Sequence, residues 1–236
     1  MIIQILLFLI LLILLYFISK KISSAIYTIF LLISKNKHFT NILLALIFLP
    51  GTILHEMSHF LVATVLRVPT GNLSVLPEQE KEGEIKAGKL ELGKADPFRY
   101  SLIGLAPILT GLTVIFILGK NYGLELNFLL NFKITVIQLA VFFVSIIISV
   151  TMFSSRKDAE SLIISGPIIL LISISLYLIG VRVILNQNLA EAITAFFTDI
   201  NKYLLFILIL DWLLLIILQL MVNLLSKILG RKFIER

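Results

Sequence analysis

The sequence predicts an all-α polytopic membrane protein of about six transmembrane helices, with a short β-hairpin-like insertion after the second. Three observations predict this. Of 236 residues, 59% are hydrophobic and only 14% charged, with a mean hydropathy of +1.06, well beyond what an ordinary soluble core needs. The apolar residues gather into stretches near the length that crosses a bilayer as a helix, about 20 residues. One sizeable polar interval, 67–99, interrupts them.

The apolar stretches are 1–18, 41–66, 101–118, 134–153, 161–185 and 203–226. The first lacks a basic start and a small-residue cleavage site and ends at Lys20 and Lys21, so it reads as a retained anchor and not as a signal peptide. Residues 22–34 are too short for a span of their own and read as either a continuation of the first helix or an interfacial segment. The chain thus divides into an anchor and interfacial segment (1–40), a core of three spans carrying the polar insertion (41–160) and two C-terminal spans (161–236), all within one integral-membrane domain.

Within the insertion, 71–76 and 84–92 alternate in β fashion, as in Ile85, Ala87, Leu90 and Leu92 amid Lys and Glu, with turn-prone Pro77 and Gly83 between them. The formal charge of +6 comes from basic residues set between apolar stretches, with no stripe or arm, which argues for membrane flanks and against nucleic acid as a partner. Six spans put both chain ends on one side. The basic tally, 12 residues on the side of Arg67, Arg99 and Lys227 against 8 on the side of Lys35, Lys120 and Arg182, makes that side cytoplasmic. The expected location is a cell membrane, crossed several times.

With no cysteine, disulfides, a cysteine nucleophile and thiolate metal sites are excluded, so any metal must be held by His, Asp or Glu. The second apolar stretch contains Leu54-His55-Glu56-Met57-Ser58-His59-Phe60, an HExxH sequence. Residues i and i+4 share a helix face, so His55 and His59 can aim ring nitrogens at one ion while Glu56 sits beside them. Zinc (Zn2+) suits imidazole ligands, acidifies bound water and polarises a carbonyl, and a glutamate can take the proton of that water and pass it to a leaving amine. The ordinary alternative is two interior histidines hydrogen-bonded to helix neighbours. It is weakened by placement, because an ionisable side chain at membrane depth costs on the order of 2.5–3.5 kcal/mol on insertion scales.

Pro50 and Gly51, just upstream, predict a kink or restart that opens room for water. A catalytic zinc normally has three protein ligands. Asp158, after the fourth apolar stretch, is the leading third ligand, and Glu160 is its nearby substitute. Asp211, set in Leu210-Asp211-Trp212, is a second intramembrane anion that should face the bundle interior, as a ligand, as a partner of a histidine or as a structural residue.

With His55, Glu56 and His59 in a span and an aspartate after the next parallel span, the chain resembles the site-2 protease family of intramembrane zinc metalloproteases over roughly 50–159. The resemblance implies His55, His59 and Asp158 as zinc ligands and Glu56 as the catalytic residue. It also implies regulated intramembrane proteolysis of another membrane protein held in the lipid bilayer.

The chain departs from the family's pattern where its LDG motif becomes Lys157-Asp158-Ala159. Residues 102–111 are similar to the family's alanine-glycine-proline stretch, with Thr110 where an asparagine is often found; close helix packing through small residues is the favoured explanation of them. Related proteases carry short strands in the insertion, whose edge could capture a substrate as an added strand.

The competing reading is a catalytically inactive, protease-like subunit with a structural or partner-binding role. Another membrane metallohydrolase, such as a prenyl-protein endopeptidase, shares only the HExxH motif, and a transporter leaves Glu56 unexplained. Self-association and association with a partner are both left open.

Overall fold

The computed structural model of the chain describes residues 1–74, 78–79, 85–86, 88–124, 135–153, 171, 175, 178–180 and 186–230. Five helices, α1 (Ile2–Ser34), α2 (Lys37–Val65), α3 (Pro97–Tyr122), α4 (Val136–Thr151) and α5 (Gln187–Ile228), carry the described fold. Four short strands lie between α2 and α3: β1 (Thr70–Ser74), β2 (Glu78–Gln79), β3 (Ile85–Lys86) and β4 (Lys89–Leu92).

Among the described residues four helices, not the expected six, are long and apolar enough to cross a membrane: α1, α2, α3 and α5. Residues 22–34 continue the first helix, one of the two readings offered for them, so that Ile2–Ser34 is one helix of 33 residues that tolerates Lys20 and Lys21 and counts as a single span. The difference in count lies further along the chain. The fourth apolar stretch yields α4, a helix of only 16 residues. The fifth, 161–185, falls almost wholly outside the described residues.

The helix ends follow local chemistry. Lys35 closes α1 in the left-handed region (φ 58°), its N–H donating to the Leu31 carbonyl, and Asn36 then caps α2 by accepting from the N–H groups of His38 and Phe39. The turn is therefore only two residues long. Asp96 caps α3 by accepting from Arg99 N–H, Pro97 opens the helix, and Gly123 (φ 65°) closes it. Thr135 and Gln138 form a capping box at the start of α4.

α2 runs unbroken through Pro50, so the expected restart does not occur; the proline leaves the Leu46 carbonyl without its usual helical donor. α5 begins at Gln187, sixteen residues before the apolar stretch that signalled it. Its first part carries Glu191 and Lys202 outward while Ile200 and Asn201 are buried, a pattern that overall hydropathy does not register.

α1 and α5 form the most extensive helix pair. Gln4 accepts from Asn201 and the ring of Phe8 meets that of Phe197, while further along Ile22, Ala25 and Ile29 share a cluster with Leu215 and Leu218. The two helices thus run in the same direction.

Large apolar side chains such as Ile3, Leu9, Ile13, Ile217 and Leu224 face outward, and Ser145, Ser149, His55 and Asp211 lie inside. That inversion of the soluble pattern suits a lipid surround.

The polar insertion folds as nested antiparallel pairs, β1 with β4 (Thr70 opposite Leu92, Leu73 opposite Leu90) and β2 with β3 (Glu78 opposite Lys86). Gly93 N–H donates to Pro69 O at 2.7 Å and Tyr100 hydroxyl to Gly93 O at 2.6 Å, tying the base of the hairpin to α3.

Candidate metal site

The HExxH residues lie on the inward face of α2, where His55, Glu56, Ser58 and His59 are all buried. Helical spacing brings the two imidazoles together: Nε2 of His55 and Nε2 of His59 are 3.3 Å apart, with ring planes at 86°. Nδ1 of His59 is 2.8 Å from the backbone carbonyl of Ile103 on α3. A carbonyl only accepts, so Nδ1 carries the hydrogen and, in the neutral ring, Nε2 presents its lone pair. A histidine that ligates a metal is commonly fixed in this way by its other nitrogen.

The spacing can be tested against the ion. Two nitrogens each about 2.0–2.1 Å from a zinc ion in tetrahedral geometry are about 3.3–3.4 Å apart. The observed 3.3 Å matches that span and is also within reach of a direct ring-to-ring hydrogen bond. The two imidazoles therefore fit a shared zinc ion. Among the described residues no group of three His, Asp or Glu side chains converges. Asp158 and Glu160, the expected third ligand and its substitute, lie outside the described residues. His38 stands exposed at the opposite end of α2.

Three close approaches shape the surroundings. At Gly51, one turn before His55, an added Cβ would collide with Thr151 Oγ1 and come within 2.8 Å of Ile147 Cγ2, so only glycine lets α2 approach α4 this closely. At Gly111 on α3, a Cβ would lie 3.0 Å from Met152 Cβ and Sδ. The C-terminal turn of α4 is thus wedged between α2 and α3 at the level of the motif. The third approach comes from the insertion: a Cβ on Gly88 would lie 2.9 Å from Glu56 Cγ, 3.0 Å from Glu56 Oε1 and 2.8 Å from Thr52 Cγ2. The residue before β4 therefore rests directly against the carboxylate of the motif.

Thr110 is half-buried on α3 beside Gly111, in the helix packing contact with α4. Asp211 lies on α5, fully buried, and accepts a 2.7 Å hydrogen bond from the Ser149 hydroxyl of α4.

The sequence reading did not find the Ile103 carbonyl, the Gly88 approach or the fit of Gly51 against Thr151. The glycines were visible as small residues in apolar or strand-like surroundings, but a backbone carbonyl leaves no mark on residue identity. No protein-family model, curated protein or solved structure matches the chain. What fold and site define is a multi-helix membrane-type protein with a buried histidine pair on α2.

Proposed function

We propose that this chain is an integral-membrane zinc endopeptidase that hydrolyses peptide bonds in or near membrane-spanning segments of other membrane proteins. The observation that carries the reading is the 3.3 Å pairing of His55 and His59 Nε2, with His59 oriented by the Ile103 carbonyl, on the buried face of a membrane-length helix.

His55 and His59 hold the metal, and Asp158, with Glu160 as substitute, supplies the third ligand. When bound, zinc supplies Lewis acidity that acidifies water and polarises a carbonyl. Glu56 accepts the proton of the attacking water and delivers it to the leaving nitrogen. The contact with Gly88 and Thr52 restricts where the Glu56 carboxylate can point, which fixes the base relative to the imidazoles. A substrate helix has its backbone bonds satisfied internally and must unwind before hydrolysis, and the short β1–β4 ladder offers extended backbone beside which a substrate segment can be held.

Glu56→Gln tests the reading. The amide cannot accept the proton, so cleavage of a membrane-protein substrate in liposomes should fall by about 10²–10⁴-fold while zinc content stays at the wild-type level. Retained activity in that variant would defeat the assigned role. The competing reading, an inactive protease-like subunit that keeps metal for its structure, draws on the lack of a three-ligand group among the described residues. It predicts that the wild-type protein itself binds zinc and cleaves nothing.

A further inference from the structure

A second polar inclusion lies between α4 and α5 and takes no part in the proposed chemistry. Phe142 and Ser149 of α4 both face α5, the first against the ring of Phe206 and the second donating to Asp211 Oδ2 at 2.7 Å. Ser145 lies on the same stripe, three residues after Phe142 and one turn before Ser149. Ser145 and Asp211 are each 0% exposed. Ser145 Oγ and Asp211 Oδ1 have no hydrogen-bond partner among the described residues. The Ser149 hydroxyl is also 2.8 Å from the Ile146 carbonyl, but it has one hydrogen and cannot serve both acceptors at full strength. On the facing sides of α4 and α5, then, a buried carboxylate oxygen (Asp211 Oδ1) and a buried hydroxyl oxygen (Ser145 Oγ) are left without partners, the latter one helical turn from the Ser149–Asp211 hydrogen bond.

We propose that Asp211, Ser145 and Ser149 form a binding site for a monovalent alkali cation, with sodium as the favoured ion. Hard cations take oxygen ligands from carboxylates, hydroxyls and carbonyls. A single charge on the ion cancels the single charge of Asp211, so the pair enters the low-dielectric interior neutral, whereas a divalent ion would leave one uncompensated charge there. The ion fills the unused valences of Asp211 Oδ1 and Ser145 Oγ and lets the Ser149 hydrogen settle on one acceptor. It braces α4 against α5 on one face while Thr151 and Ile147, on another face of α4, pack on Gly51 of α2. This inference does not depend on the proteolytic reading.

The test compares melting of the full-length protein in detergent in sodium chloride and in choline chloride at equal ionic strength. Choline is too large for the site and controls for screening. In roughly 0.3 M sodium chloride the melting temperature should rise by about 2–5 °C over choline chloride, saturably with sodium concentration. Asp211→Asn should abolish the difference, and Ser145→Ala should shift its half-saturation to higher sodium by about tenfold or more. Equal melting of the wild-type protein in the two salts overturns the proposal without recourse to any variant. A sodium effect that persists unchanged in Asp211→Asn, or in Ser145→Ala if Asp211→Asn does not fold, overturns it as well.

Discussion

On α2, His55, Glu56 and His59 are buried beside a polar hairpin and reach a carbonyl on the neighbouring helix, whereas Asp211 on α5 is sealed between apolar helices with Ser149 as its hydrogen-bond donor. Both inclusions sit in helices otherwise built for lipid, and both incur the desolvation of an ionisable group. They differ in access. Gly88, half-buried and just before β4, touches Glu56, so the first inclusion meets the polar insertion. No described polar segment approaches Asp211 in this way. Burial with a polar outlet suits chemistry on an incoming substrate; burial without one suits a fixed structural or ionic role.

The comparison breaks most sharply if the histidine pair proves dispensable. His59→Ala removes one ligand and the link to Ile103, and should lower both zinc content and cleavage, the latter by about 10³-fold or more. Metal analysis and a liposome cleavage assay on the same sample check both, and undiminished zinc would mean that the pair is not the site.

The next largest effect concerns α4, which touches both inclusions. Gly51→Leu forces a side chain against Thr151 and Ile147 and should destabilise the protein by about 2–3 kcal/mol, read as a lower melting temperature. Adding Thr151→Ala opens space at that contact and should recover part of the loss. Additive losses in the double variant would show that the two residues do not share a contact.

Gly88→Ala sharpens the difference in access. The added methyl presses on Glu56 and Thr52, so cleavage should fall by about 10- to 100-fold while the melting temperature stays within about 1 °C of wild type. A large drop in melting instead would make the hairpin a structural brace.

The smallest effect lies outside both inclusions, at the cap of α3. The backbone N–H of Arg99 donates to Asp96 and holds its carboxyl below the usual carboxylate range, against a small opposing desolvation and with help from the Arg99 guanidinium. A lowered folded-state value means that the cap's contribution is fully present above the ordinary carboxylate pKa and is lost as pH falls through the lowered one. The melting temperatures of wild type and Asp96→Asn should therefore differ at neutral pH and converge in acid.

Much of this was legible in the sequence because its causes are local. The i, i+4 spacing of His55 and His59 fixes their common face wherever the helix lies. The alternation in the polar interval foretold the pairing of β1 with β4. Helix bounds departed from hydropathy where two lysines did not interrupt α1 and a polar first segment did not prevent α5 from starting at Gln187, since backbone hydrogen bonds tolerate charged side chains that point outward. The span count itself departed at α4, whose 16 residues fall short of a bilayer crossing.

By itself, then, the sequence determined the membrane character, the insertion and the pairing of two imidazoles, all set by composition or by neighbours within a helical turn. Only the tertiary structure decided which carbonyl orients His59, 44 residues away, which glycine rests on Glu56, and that Ser149 meets Asp211 across 62 residues. Those contacts depend on how helices pack, and packing is settled by the joint fit of many side chains, which no short stretch of chain contains.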